Sequence, residues 1–142
     1  MRRSQKPPRP ARPSGPGTTG RAGPLLQAGA AIGAALAVMI GAMGAHAFRD
    51  AGDLRGAGLM ETAGQYLMWH ALAVLALRRQ HDGLHRPLLL LLAASVLFSG
   101  TLVLLALGGP GWLGAITPVG GTGLIVGWIL VAWVLLARPK TG

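Results

Sequence analysis

The sequence contains no cysteine and little negative charge, with only four Asp and Glu residues among 142. The missing thiols exclude disulfides, iron–sulfur clusters and thiolate chemistry. No nucleophile or metal-binding cluster stands out in the rest of the chain. The glycine-rich segment 108–111 lacks the lysine and the polar helix start that a phosphate-binding loop needs. The sequence therefore predicts no enzyme, no metal site and no cofactor.

Charged residues of both signs make up only 12% of the chain, whereas hydrophobic residues make up 51% and the mean hydropathy is +0.50. This composition is typical of a protein that has the lipid bilayer as its solvent, and the length fits one domain. The bilayer is thus the first predicted partner.

Residues 1–24 form a distinct segment that holds six of the thirteen basic residues, six of the ten prolines and no acidic or aromatic residue. It has too little apolar surface to fold, which predicts a disordered, basic, Pro-rich cytoplasmic tail. The tail also lacks aromatic rings that stack on bases, so no nucleic-acid partner is predicted despite the net charge of +9.

Four apolar stretches are long enough to cross about 30 Å of hydrocarbon as helices. They cover residues 25–48, 59–77, 87–107 and 118–137. Thr117 and Pro118 are interpreted as the N-cap and first residue of the fourth helix. The predicted fold is an all-α, four-helix transmembrane bundle over 25–137, followed by a short basic C-terminus, 138–142.

The basic residues are distributed unevenly between the two sides of this bundle. Eleven of them lie in the tail, the second loop and the C-terminus, whereas the first loop holds two and the third loop none. Cytoplasmic segments of membrane proteins are enriched in Lys and Arg. This predicts a multi-pass protein of the plasma or inner membrane with both termini in the cytoplasm.

The segment GAMGAHAF, residues 41–48, allows three interpretations: a signal-peptidase site, a metal or haem ligand at His46, or a contact between helices. The apolar run before it is longer than a signal peptide needs, so we expect no cleavage. His46 and His70 differ in predicted depth by roughly 9 Å, which disfavours a shared metal. We expect His46 to form a hydrogen bond at the outer interface.

Small residues at four-residue spacing form a stripe on the first helix, which predicts close packing against a neighbouring helix. The stripe consists of Gly29, Gly33, Ala37, Gly41 and Ala45. Gly123 and Gly127 repeat the pattern in the fourth helix.

The second helix carries the most polar face of the four. This face consists of Glu61, Thr62, Gln65, Tyr66, Trp69 and His70. Polar groups in hydrocarbon cost free energy unless they have partners, so we expect the face to point into the bundle or into a wet cavity. Two interpretations remain open: interhelical hydrogen bonds, or a pathway for a proton, ion or small solute in which His70 is the proton carrier.

Several of these segments together resemble the family called domain of unknown function 423, small four-helix membrane proteins whose eukaryotic relatives are called transmembrane protein 256. The segments are residues 41–47, Thr62-Ala63 with Tyr66 and His70, 98–100, 117–121 and 127–128. Val103 and Trp69 stand where relatives often have tyrosine. The resemblance implies a multi-pass protein of the bacterial inner or plasma membrane, and it implies no activity.

The sequence thus predicts a small integral membrane protein that acts as an accessory or structural component. Its expected partners are another membrane protein or further copies of itself. The alternative is a minimal oligomeric transporter or channel that uses the polar face of the second helix. Inverted repeats would favour transport, but the two halves of the chain show only loose similarity.

Overall fold

The computed structural model describes residues 22–80 and 82–137, which contain four long α-helices and no strand. The helices are α1 (Ala22–Met43), α2 (Leu54–Leu77), α3 (His85–Ala106) and α4 (Leu113–Leu136). A π-helical turn, Gly44–Phe48, continues α1, and a short 3-10 helix, Asp82–Leu84, precedes α3. The predicted all-α, four-helix fold is confirmed. Most of the predicted tail and the C-terminus 138–142 lie outside the described residues.

Three of the described helical segments are long and apolar enough to cross a membrane, namely Gly23–Phe48, His85–Ala106 and Leu113–Leu136. α2 is just as long, but Glu61, Gln65 and its glycines make it less apolar. Four crossings therefore stay a prediction, because length and composition support three of them.

The helices pack in chain order, with α1 against α2, α2 against α3 and α3 against α4. Leu92 of α3 lies beside Gly29 and Gly33 of α1, whereas the backbone of Phe98 lies beside Gly120 of α4. α1 and α4 therefore flank the central α2–α3 pair on different sides. Within that pair, the buried Ser99 hydroxyl donates a 2.8 Å hydrogen bond to the Ala63 carbonyl.

Glycines mark the two points where helix backbones approach most closely. A Cβ on Gly64 would lie 3.0 Å from the Ala37 carbonyl oxygen, and a Cβ on Gly120 would lie 2.7 Å from the Phe98 nitrogen. Close packing of the predicted stripe is confirmed at Gly33 and Ala37, which are buried. Ala45, at the end of the stripe, is exposed, so the chain itself uses only part of the stripe.

Two helices begin five residues earlier than predicted. α2 begins at Leu54 because Asp53 caps it, its Oδ1 accepting a 2.8 Å hydrogen bond from the Gly56 N–H. α4 begins at Leu113, so Pro118 lies inside the helix. The interpretation of Thr117 as an N-cap was wrong.

The Thr117 hydroxyl contacts the helix that packs against its own. It lies 3.0 Å from the Thr101 hydroxyl of α3 and 3.2 Å from the Leu113 carbonyl. Thr117 thereby joins α4 to α3, a contact that spacing along one helix cannot predict.

Candidate functional site

The six polar-face residues of α2 do not share one environment: three are exposed, two are half-buried and one is buried. At about 100° per residue they span roughly half of the helix circumference. The opposite half carries the small and aliphatic residues that pack against α1 and α3, among them Met60, Ala63 and Ala71, which are fully buried. Glu61, Gln65 and Trp69 consequently lie on the outside of the four helices.

His70 is the one polar-face residue that is buried, with 6% of its surface exposed, and both of its ring nitrogens have partners. Nδ1 lies 2.6 Å from the Tyr66 carbonyl oxygen, which can only accept a hydrogen bond. Nδ1 therefore carries the proton, and Nε2 accepts a 3.2 Å hydrogen bond from the Trp128 indole N–H of α4. His70 is thus a neutral ring that joins α2 to α4.

Tyr66 lies among aromatic rings beside this hydrogen bond. Its ring centroid is 4.8 Å from Phe98, 5.4 Å from Trp69 and 6.0 Å from His70. These separations fall in the range of favourable aromatic pairs. The rings border a cavity of about 430 Å³, here called the aromatic groove. Its lining residues are Tyr66, Trp69, His70, Phe98, Gly121, Leu124, Ile125 and Trp128.

A second cavity, of about 460 Å³, lies between α1 and α2 and is here called the α1–α2 cleft. Its lining includes the small residues Ala37, Gly41, Gly44, Ala45, Ala57 and Gly64 and the larger Arg49, Glu61, Gln65, Met68 and Trp69. At its rim an Arg49 nitrogen lies 3.7 Å from a Glu61 oxygen, and both side chains are 59% exposed. Gln65 Nε2 lies 3.5 Å from the other Glu61 oxygen.

The remaining two predicted site residues belong to neither cavity. The Thr62 hydroxyl donates a 2.9 Å hydrogen bond to the Gly58 carbonyl of its own helix. His46 is exposed on the π-helical turn. That turn is anchored by Gly44, whose added Cβ would lie 2.8 Å from the Met60 Cβ.

The structure brings into the site three residues whose role the sequence interpretation missed. Trp128 completes the hydrogen bonding of His70, the Phe98 ring packs at a tilt against Tyr66, and Arg49 pairs with Glu61. The signal that could have identified Trp128 is its indole N–H, which needs a hydrogen-bond partner when it lies within an apolar helix.

Comparison with known proteins identifies relatives of the larger part of this chain. The family model described as "Protein of unknown function (DUF423)" matches residues 40–121. The UPF0382 membrane protein YwdK of Bacillus subtilis is 37% identical over 107 residues, which cover 71% of this chain and 87% of that protein. The UPF0382 inner membrane protein YgdD of Escherichia coli K12 is 35% identical over 107 residues, which cover 72% and 82%. No solved structure matches the chain significantly.

Proposed function

The chain belongs to the DUF423 family of membrane proteins, and we propose that it acts as an accessory component that binds a transmembrane helix of another protein in its α1–α2 cleft. One observation carries the proposal: Glu61 and Gln65 lie on the outside of the described helices rather than between them. In hydrocarbon such side chains need partners. A partner helix over the cleft would shield them from lipid.

The floor of the α1–α2 cleft suits a helix better than it suits a bulky ligand. The Gly41 backbone lies beside Gly64 of α2, but a Cβ on Gly41 would meet no atom within 4 Å, and Ala45 is exposed, so the outward side of this half of the small-residue stripe is open. Small residues at four-residue spacing allow the backbone of another helix to approach closely. The charged rim, Arg49 and Glu61, can pair with polar residues at the end of that helix.

The geometry of His70 favours this accessory role over proton transport. A proton carrier must accept and release a proton at a ring nitrogen that reaches the pathway. His70 has no such nitrogen free, because the Tyr66 carbonyl and the Trp128 indole occupy both. Protonation of Nε2 would break its hydrogen bond with Trp128. We therefore assign the His70–Trp128 hydrogen bond to the association of α2 with α4 and not to a proton pathway.

The test fills the α1–α2 cleft without disturbing the chain's own packing. Gly41→Leu places a side chain in the open part of the cleft, and the matched control, Gly58→Leu, adds the same side chain at an exposed α2 glycine outside it. The full chain is expressed in a bacterial membrane and extracted in mild detergent, and the protein mass of the complex is measured by light scattering. We expect a stoichiometric complex for the wild type and for Gly58→Leu, and a monomer for Gly41→Leu.

Each other result of this experiment has a defined meaning. A wild-type protein that is monomeric in mild detergent and in nanodiscs would contradict the proposal. A complex of identical chains that Gly41→Leu dissociates would place a second copy, rather than a different protein, in the cleft. A complex that survives in Gly41→Leu would place the interface elsewhere.

A further inference from the structure

The aromatic groove concentrates the few aromatic residues that the chain possesses. The sequence has seven Phe, Trp and Tyr residues, and four of them, Tyr66, Trp69, Phe98 and Trp128, line this one cavity. The largest cluster of buried residues consists of leucine, alanine and valine, and Tyr66 and Phe98 pack against its edge. Trp69 and Trp128 stay 55% and 42% exposed, and the rings leave about 430 Å³ open. This volume lies within the range of about 300–1,000 Å³ that is usual for small-molecule sites.

We propose that the aromatic groove binds a neutral, planar, conjugated ring that carries carbonyl oxygens and is dissolved in the bilayer, the chemistry of a membrane quinone. The first reason is the shape of its walls. The rings of Trp69 and Phe98 pack against the Tyr66 ring at tilted angles of 42° and 38°, and all three line the cavity. Flat π-systems pack on such rings in offset or tilted arrangements.

The second reason is the charge of the lining residues, which favours a neutral ring over an organic cation. Aromatic cages bind quaternary ammonium groups, but a desolvated cation in an apolar site is costly without a counter-charge. None of the residues that line the groove is acidic, and the Nε2 atom of His70 accepts a hydrogen bond from Trp128, as an unprotonated ring nitrogen does. A neutral ligand avoids this cost.

The third reason is the pair of donors that the groove offers. Within the described part of the chain, neither the Tyr66 hydroxyl nor the Trp69 indole N–H makes a hydrogen bond. The Trp128 N–H is already used by His70. A ligand with acceptor oxygens gains hydrogen bonds from free donors in an apolar setting, where such bonds confer specificity.

The fourth reason is position along the helices. Tyr66 to His70 lie near the middle of α2, and Gly121 to Trp128 lie near the middle of α4. The groove opens on the outside of the four helices, where Trp128 and Ile125 are exposed. A ligand that partitions into hydrocarbon reaches such a site from the bilayer. The groove shares only Trp69 with the α1–α2 cleft, and its other walls belong to α2, α3 and α4, so this inference does not depend on the accessory role.

The test uses decylubiquinone as the probe and the intrinsic tryptophan fluorescence of the full chain in nanodiscs. Trp112→Phe and Trp133→Phe remove the two tryptophans outside the groove. Quinones quench indole fluorescence, and bound probe gives a saturable component, whereas probe that is merely dissolved in lipid quenches in linear proportion to its concentration. We expect a saturable component that an equal amount of decane does not produce.

Two variants within the groove establish where the probe binds. A Cβ on Gly121 would meet only the Phe98 ring, at 3.9 Å, so Gly121→Leu fills the groove, while Gly114→Leu adds the same side chain in open space on α4. We expect Gly121→Leu to abolish the saturable component and Gly114→Leu to retain it. Tyr66→Phe removes one donor but keeps the ring, and should weaken binding about two- to tenfold.

Three results would overturn the inference. One is linear quenching by the wild type. Another is equal saturable quenching in Gly121→Leu and Gly114→Leu. The third is a groove covered by another polypeptide, which would appear as a fall in complex mass for Gly121→Leu with no saturable quenching in the wild type. If Gly121→Leu does not fold, the quenching titrations of the wild type and of Tyr66→Phe still show whether the groove binds the probe.

Discussion

At the scale of single residues, the polar side chains of α2 differ in whether the chain itself supplies their partners. His70 receives one partner from its own helix and one from α4. Glu61 has Arg49 at 3.7 Å, a long and exposed contact that contributes little stability. The structural role of His70 can therefore be tested within the isolated protein, whereas the role of Glu61 requires its surroundings.

We predict that His70 and Trp128 are energetically coupled. The test is a double-mutant cycle of His70→Leu, Trp128→Phe and the double variant, with unfolding measured in detergent. Each single substitution leaves a polar group without its partner. The second substitution removes that unpaired group and therefore lowers stability less than it would on its own. We expect a coupling free energy of about 0.6–2 kcal/mol. Additive effects of the two substitutions would show that the 3.2 Å hydrogen bond does not contribute to stability.

His70→Gln completes this prediction by separating a structural role from transport. Glutamine can donate and accept hydrogen bonds but does not change its charge near neutral pH. We expect a stability between those of the wild type and His70→Leu. Vesicles reconstituted with either protein should dissipate an imposed pH gradient no faster than empty vesicles. A leak in the wild type that His70→Gln removes would restore the transporter interpretation.

The sequence singled out His70 and Tyr66 as candidate site residues but did not predict their contacts with Trp128 and Phe98. A polar residue within an apolar helix can be recognised from the sequence as one that needs a partner, because burying it without a partner costs free energy. Whether Trp128 or a residue of α1 meets it depends on how each helix is rotated about its axis. The rotation of α2 is set by Met60, Ala63 and Ala71 packing on one side, which directs Glu61 outward.

At the scale of secondary structure, the helices themselves were predictable and two of their starts were not. Long apolar stretches identify transmembrane helices because a bilayer leaves few alternatives for the backbone. The start of α2 was missed because Arg55 and Gly56 are residues typical of a loop at the end of an apolar stretch. Asp53 is nevertheless a favourable N-cap residue. The start of α4 was missed because proline usually marks a first turn, whereas Pro118 lies farther into the helix.

Glycine contacts between elements lead to a second prediction. Gly120→Ala should destabilise the protein by about 1–3 kcal/mol, because its Cβ would lie 2.7 Å from the Phe98 nitrogen and would force α3 and α4 apart. Gly114→Ala is the matched control on the same helix, where a Cβ meets nothing within 4 Å. Thermal unfolding in detergent measures both variants. Equal melting temperatures would mean that α3 and α4 do not cross at this point.

At the scale of the whole molecule, charge distribution and packing bear on different aspects of the topology. The excess of basic residues predicts on which side each loop lies, but the hydropathy of α2 alone does not establish that it crosses. Packing supplies a further reason. α2 lies between α1 and α3 and contacts both extensively. α2 has 24 residues and is about 36 Å long, and a helix of this length that packs along two candidate membrane spans is expected to share their depth in the membrane.

The third prediction is that α2 crosses the membrane and that both termini lie in the cytoplasm. Because the chain has no cysteine, single cysteines placed at exposed loop positions report the side of the membrane without background. Ala51→Cys and Gly111→Cys should react with a membrane-impermeant maleimide in Escherichia coli spheroplasts. Gln80→Cys should react only after permeabilisation, because it follows α2 on the cytoplasmic side.

The pair Ala51 and Gln80 decides the question, since α2 alone connects the two loops. If α2 lay along the membrane surface, both positions would react alike in spheroplasts. Labelling of Gln80→Cys but not Ala51→Cys would invert the orientation while keeping the crossing. The predicted pattern would place the rim of the α1–α2 cleft, Arg49 and Glu61, in the outer half of the membrane and the aromatic groove near its middle. A helical partner and a lipid-soluble ring would then each meet the protein at the depth that its chemistry requires.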